Sequence, residues 1–251
     1  MNEVTRIIAI RHGETDWNAQ SRLQGQLDIP LNPHGRRQAA RLADALRHEA
    51  LVAVISSDLG RAHATAAAFS EPLGLPLRLE PGLRERGFGM LEGKTYEEID
   101  QLWPEHARRW RERDIEFTPP GGESLRDFQQ RVVAAARALA TSYGGGTIAL
   151  VTHGGVLDCL YRAAQGIDLQ AHRTWQLGNA AINRLLHSPQ GLAVVGWNDR
   201  SHLEGIVRDG KTYAVPYTYS EMGLVYDRQQ FSAPPQSLSA LWDPRWRGRV
   251  L

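Results

Sequence analysis

Cysteine is nearly absent. Cys159 is the only one in 251 residues, which excludes an intrachain disulfide and suits a reducing cytoplasm. Its neighbours, Val156-Leu157-Asp158-Cys159-Leu160, are expected to place the thiol on the buried side of a helix. No apolar run approaches the roughly 20 residues that a membrane helix needs. The N-terminus leads into a strand-like segment and lacks the basic-then-apolar start of a signal peptide, so the expectation is a cytoplasmic protein with no membrane partner. Excess charge is missing too: a net charge of +1 sets up no field for nucleic acid, which is excluded as a partner on that ground. No internal repeat is present. The ordinary balance of 42% hydrophobic and 23% charged residues then points to one large globular domain, with or without an additional fragment.

Over roughly the first two hundred residues, short apolar runs alternate with amphipathic segments, the pattern of a mostly parallel sheet covered on both faces. Ile7-Ile8-Ala9-Ile10 reads as a first buried strand. Asn32-Pro33 is an N-cap followed by proline in the first helical position, and Ala39, Leu42, Ala43 and Leu46 continue at helical spacing. Val52 to Ile55 forms a second strand that runs into Ser56-Ser57 and an alanine-rich helix through Phe69. Thr95 and Glu98 make a capping box for a helix that Pro104 interrupts. Ser124 opens a helix with an inward stripe of Leu125, Phe128, Val132, Ala136 and Leu139, ended by Gly144-Gly145-Gly146. Ile148 to Val151 is a third core strand. Ala181–His187 and Leu192–Trp197 are expected to form a hairpin. The fold class is therefore α/β, a three-layer α/β/α arrangement.

Three of these strands deliver polar groups to their carboxyl ends, where open α/β sheets bind ligands. The first supplies Arg11-His12-Gly13-Glu14-Thr15, the second Ser57 and then Arg61, the third Thr152-His153-Gly154-Gly155. A neutral imidazole can attack phosphorus when its other ring nitrogen is held by an acceptor, so His12 is the candidate nucleophile. Arg11 and Arg61 offer planar, permanently charged forks that match phosphoryl oxygens. His153, once protonated beside a phosphate, adds a third cation, and Gly154 offers a backbone N–H. An alkoxide leaves poorly, which calls for an acid. Glu85, in Leu83-Arg84-Glu85-Arg86-Gly87, is placed to protonate the leaving oxygen and then, as carboxylate, to activate water. Each residue alone has a plainer reading: a structural histidine, a salt-bridged arginine, one half of a surface ion pair. Metal ligation is the other alternative. No pair among the nine histidines has zinc-type local spacing, and His12 with His153 lacks an evident third ligand.

At this point the sequence resembles the histidine phosphatase superfamily, in its phosphoglycerate-mutase-like branch. The matching segments are Arg11-His12-Gly13-Glu14-Thr15 with Trp17-Asn18, then Leu31-Asn32-Pro33-His34-Gly35. Ser56-Ser57-Asp58-Leu59-Gly60-Arg61-Ala62 with Thr65 follows, and Leu83-Arg84-Glu85 with Gly89 and Glu92-Gly93. Thr152-His153-Gly154-Gly155 and Trp197-Asn198-Asp199 with His202-Leu203 close the set. The resemblance implies a phosphoglycerate-mutase-like fold over residues 1–204 and His12 as phosphohistidine. It further implies Arg11, Arg61 and His153 as phosphate ligands, Asn18 touching phosphate, Glu85 as proton donor and no metal or organic cofactor. The implied partner is a small phosphorylated substrate, and a homodimer is compatible.

Hydrolysis is expected ahead of mutase chemistry. Mutases of the family tend to carry a longer insertion and a tail over the site, and Gly87 to Gly122 is modest in length. A mutase must also return the phosphoryl group before water intervenes. Arg108, Arg109, Arg111 and Arg113 could guide an anionic substrate, but read more simply as a solvated helix face with Trp103 and Trp110 packed behind.

Composition shifts after about Leu203, and residues 205–251 form a C-terminal extension. Gly210 to Tyr217, Gly223 to Asp227 and Leu241 to Val250 resemble part of a polyamine-type ABC transporter solute-binding protein. About forty residues cannot build a two-lobed core. The expectation is an appendage without ligand binding of its own and not an independent domain; the plainer alternative packs Trp242 and Trp246 on the main domain.

Overall fold

The computed structural model describes residues 4–203, together with two short strands in residues 205–208 and 211–214. The chain divides into two compact units, Met1–Leu203 and Glu204–Leu251. In the second, β7 (Gly205–Arg208) pairs antiparallel with β8 (Lys211–Ala214). The solute-binding-protein resemblance from Val215 onward lies outside the described residues.

The first unit contains one six-stranded sheet, ordered β3-β2-β4-β1-β5-β6. Its strands are β1 (Thr5–Arg11), β2 (Leu51–Ser56), β3 (Leu77–Leu79), β4 (Thr147–Thr152), β5 (Ile182–Ser188) and β6 (Gly191–Asp199). The first four run parallel, and the β5–β6 hairpin adds antiparallel on the β1 side. The mostly parallel α/β sheet expected from the alternation is the one observed. Its short edge strand β3 is an addition, because three residues leave no periodic trace.

Alternation along each strand sorts side chains to two faces. Ile7, Ala9, Ile55, Ile148 and Leu150 join a cluster with Phe128, Val132 and Ala136 of α6 (Leu125–Ser142) and Leu157 and Leu160 of α7 (Gly154–Gln165). Ile8, Ile10, Val54, Ala149 and Val151 join the opposite cluster with Leu42 and Leu46 of α2 (Pro33–Leu46) and Ala62, Ala66 and Phe69 of α3 (Gly60–Ser70). Helices on both faces explain why every residue of β4 is buried. A fully buried Phe128 or Leu42 contributes about 1.5–3 kcal/mol each through the removal of apolar surface from water. The stripe expected on α6 is buried at all five positions.

Local caps form where the residues require them, beginning with the Thr15–Asn18 capping box of the short α1 (Asp16–Ala19). Asn32 accepts from the Gly35 N–H at the start of α2, and Ser124 accepts from Asp127 at the start of α6. Thr95 and Glu98 complete a reciprocal capping box for α4 (Tyr96–Leu102), and Pro104 starts α5 (Pro104–Arg111) after a break. A third apolar cluster, Leu23, Leu91, Ile99, Ala107 and Phe117, with Trp103 and Trp110 against it, packs α4 and α5 beside the carboxyl ends of the strands.

Candidate active site

Because β1 and β4 are parallel neighbours with Arg11 opposite Thr152, the residues that follow each strand emerge side by side. The rings of His12 and His153 consequently lie 5.2 Å apart between centroids. Both residues are buried.

His12 is held by the turn it begins. Its Nδ1–H donates to the Gly13 carbonyl at 2.7 Å, which leaves Nε2 as the unprotonated nitrogen. The Gly13 N–H in turn donates to Thr65 Oγ1 on α3 at 3.0 Å, and that hydroxyl donates to the Arg61 carbonyl. A side chain at Gly13 would stand 2.5 Å from the Gly35 carbonyl oxygen, so only glycine lets the His12 turn and the start of α2 approach this closely. Burial holds the His12 imidazolium well below its ordinary pKa, and the charges of Arg61 and Arg11 push the same way. A neutral ring results, with a lone pair available at neutral pH.

Two guanidinium groups flank it. Arg61, near the start of α3, is 1% exposed and donates to the carbonyls of Gly25 and Leu27. Arg11 donates through Nη1 to the Leu177 carbonyl at 2.6 Å. The Nε atoms of both are buried without a partner among the described residues. Desolvation lowers both pKa values, that of Arg61 to about 10, and a guanidinium keeps its charge at neutral pH.

Glu85 reaches the N-terminus of α7. One carboxyl oxygen accepts from the Gly155 N–H at 2.9 Å and the other from the Arg86 N–H at 2.9 Å. Asn18 accepts through its side-chain oxygen from Thr15 and from Asn179 Nδ2, which also donates to the His12 carbonyl. The amide NH2 of Asn18 is thereby left to face elsewhere.

Arg11, His12, Asn18, Arg61, Glu85 and Gly154 all line one cavity of about 690 Å³. His153 does not line it. The ring sits behind His12, with Nε2 2.8 Å from Ser57 Oγ and Nδ1 buried without a partner among the described residues. Burial, with Arg61, His12 and Arg11 adding repulsion, holds its imidazolium well below the ordinary pKa. The ring is therefore neutral at neutral pH; the cation expected of it is one formed beside a phosphate.

The arginine row around α5 also differs from expectation in one position. Arg108, Arg109 and Arg111 are paired with Glu105 and Glu112, Asp114, and Asp100, as a solvated face requires. Arg113 lies past the helix end with φ of +52° and turns inward to Asp158 and the Leu169 carbonyl. Trp103 and Trp110 pack behind, as expected. Cavity residues that sequence reasoning passed over include Tyr96, His172 and Arg173. Two of these belong to an aperiodic loop and carry no motif. Among the described residues no group of three or more His, Cys, Asp or Glu side chains could hold a metal ion, and no helix is long and apolar enough to cross a membrane.

Comparison with known proteins gives this geometry its family. The sequence model of the histidine phosphatase superfamily, branch 1, matches residues 7–200. The chain belongs to that superfamily. Within it, a probable phosphoglycerate mutase of Yersinia pestis is 35% identical over 208 residues, covering 79% of this chain and 95% of the relative. Among solved histidine-phosphatase-like structures, YhfR of Bacillus stearothermophilus is 33% identical with a TM-score of 0.75, covering 80% of this chain and 100% of that one. A mycobacterial glucosyl-3-phosphoglycerate phosphatase, in complex with VO3, is 34% identical with a TM-score of 0.69, covering 77% of this chain and 99% of that one. A bacterial extracellular solute-binding protein family matches residues 195–251, in line with the resemblance noted for the extension.

Proposed function

We propose that the chain hydrolyses phosphomonoesters of small anionic metabolites through a phosphohistidine at His12. The observation that carries this reading is the 2.7 Å contact between His12 Nδ1 and the Gly13 carbonyl, which turns a neutral imidazole into an oriented nucleophile. In the first step Nε2 attacks phosphorus and the P–O ester bond breaks. The leaving oxygen takes the proton of Glu85. In the second step Glu85, now a carboxylate, takes a proton from water. That water's oxygen displaces Nε2 and releases inorganic phosphate. Arg11, Arg61, the Asn18 amide and the Gly154 N–H hold the phosphoryl oxygens, and His153 supports His12 from behind. Their work is positioning and charge stabilisation, the main demand of phosphoryl transfer.

The likeness to the mycobacterial phosphatase, matched over nearly its full length, supports hydrolysis. The Yersinia pestis relative's name favours the second reading, a phosphoglycerate-type mutase. The modest Gly87–Gly122 insertion supports hydrolysis ahead of it. Residues 1–204 form the catalytic domain in this proposal, and residues 205–251 are an appendage without ligand binding.

The test incubates the full chain with 4-nitrophenyl phosphate in excess chelator. Turnover is expected, with loss in His12→Ala and Glu85→Gln, and rapid acid-free quenching should trap an alkali-stable phosphorylated histidine. Activity that survives His12→Ala, or that chelator abolishes, overturns the mechanism. Phosphoglycerate isomer exchange outpacing phosphate release would establish the mutase instead.

A further inference from the structure

A cavity of about 690 Å³ is far larger than one phosphoryl group, so its outer part receives the leaving group. Eight arginines line it. Arg22, Arg109, Arg111 and Arg113 are paired with the carboxylates of Glu98, Asp114, Asp100 and Asp158. Arg11, Arg61 and Arg86 donate to backbone carbonyls. Arg173 alone among them makes no hydrogen bond or ion pair with any described residue, and it is exposed. Most unpaired surface arginines mean nothing, because they sit on mobile ground. This one does not.

The loop that carries it, residues 166–181 between α7 and β5, is tied down on both sides of Arg173. Upstream, the fully buried Arg162 donates to the carbonyls of Asp168 at 2.5 Å and Ala171 at 2.8 Å. Downstream, Trp197 Nε1 donates to the Gln176 carbonyl, and Arg11 donates to that of Leu177. Between these anchors Trp175 stacks on Tyr161 at 4.3 Å and lies under the Arg162 guanidinium at 4.8 Å. The backbone bearing Arg173 is therefore fixed by the same arginine, Arg11, that faces the proposed phosphate. Arg173 is close enough to Arg11 and to the Tyr96 hydroxyl for its charge to act on both.

A phosphoryl dianion is met by Arg11 and Arg61 deep in the site. A further uncompensated cation at the mouth has nothing left to neutralise on that group. We propose that Arg173 is a specificity-determining residue that binds a second acidic group, a carboxylate, on the leaving-group side of the substrate. The planar guanidinium fork matches a carboxylate in two parallel hydrogen bonds, and a preset backbone reduces the ordering cost to the side chain alone. Because Arg173 faces water, the effect is about tenfold and not the hundredfold or more of a buried pair.

This inference rests on the phosphomonoesterase reading, and its test separates the two. 3-Phosphoglycerate and glycerol 3-phosphate differ only in a carboxylate against a hydroxymethyl group. In the wild-type chain kcat/KM should favour 3-phosphoglycerate. In Arg173→Ala that preference should shrink about tenfold, with the change in KM and not in kcat, and Arg173→Lys should restore part of it. An unchanged preference in Arg173→Ala overturns the role. Binding is then measured by calorimetry in a His12→Ala background, where no turnover is needed. Discrimination between the two esters that depends on Arg173, without hydrolysis by the wild type, overturns the phosphatase reading alone. Equal affinity for both esters with Arg173 present overturns the role of Arg173, whatever the wild type hydrolyses.

Discussion

Nε2 of His153 and Oγ of Ser57 stand 2.8 Å apart at the end of β2, both sealed from solvent. The Leu59 N–H donates to the same Oγ at 3.4 Å, so the hydroxyl proton is free to be given to Nε2. That assignment puts the ring proton of His153 on Nδ1. Replacing Ser57 by alanine removes the lock. The expected outcome is a roughly tenfold fall in kcat/KM for an aryl phosphate and about 1–3 kcal/mol less stability. Steady-state kinetics, a denaturant melt and the ring 15N shifts of His153 check it, and unaltered shifts would count against the assigned tautomer.

Burial lowers the pKa of both His12 and His153 well below the ordinary value. In a histidine-labelled NMR titration neither ring should protonate as the pH falls through the ordinary histidine value near 6.5. The linkage follows. Unfolded histidines take up protons near pH 6.5 while the native rings refuse them, so below that pH the unfolded state binds more protons. Stability is present above about pH 6.5 and falls as the pH drops further. A melting temperature that rises on acidification from neutrality would contradict this sign.

Gly155 gives Glu85 its seat. A Cβ there would stand 2.2 Å from Glu85 Oε1 and 3.1 Å from Phe128 Cε1. Gly155→Ala gains about 1 kcal/mol of helix propensity, which offsets part of the contact strain. The carboxyl group, however, must leave the 2.9 Å bond from the Gly155 N–H. The prediction is a fall in kcat of more than about tenfold with the fold retained, and little further loss when Glu85→Gln is added, because the two act on one group. Additive losses would show that Gly155 acts by another route.

Asp158 joins Arg162 at 2.9 Å and Arg113 at 3.1 Å within the wall of the cavity. Removing it leaves a buried guanidinium without its counter-charge. Asp158→Ala is expected to cost about 3–5 kcal/mol, read as a lower denaturation midpoint. A loss below about 1 kcal/mol would mean that water replaces the carboxylate.

If residues 1–204 carry the activity, deleting residues 205–251 should leave kcat/KM for an aryl phosphate within about twofold of the full chain. The cut preserves the Leu203 carbonyl, which accepts from Arg41. A large loss of turnover or of melting temperature would show the extension to be part of the working enzyme.

Much of the site was legible because chemistry and periodicity coincide along the chain. The runs Ile7 to Ile10, Val52 to Ile55 and Ile148 to Val151 announce buried parallel strands, and such strands open their carboxyl ends to ligands, so Arg11, His12, Arg61 and His153 could be placed on one rim from the sequence. The inward turn of Arg113 was not legible, since it combines a positive φ in a non-glycine residue with partners, Asp158 and Leu169, that lie far along the chain. Nor was the edge strand β3, whose Leu77–Leu79 forms only because β2 offers it a ladder. The place of Arg173 depends on Arg11 meeting Leu177, 166 positions away along the chain.

The amino-acid sequence by itself determined the layered α/β architecture and which polar side chains follow the strand ends, because alternating apolar periods and charged strand ends are local properties. Only the tertiary structure decided that His153 lies neutral behind His12 and that an aperiodic loop stands pinned over the cavity. Those outcomes depend on desolvation and on hydrogen bonds between distant segments, and no local pattern encodes either.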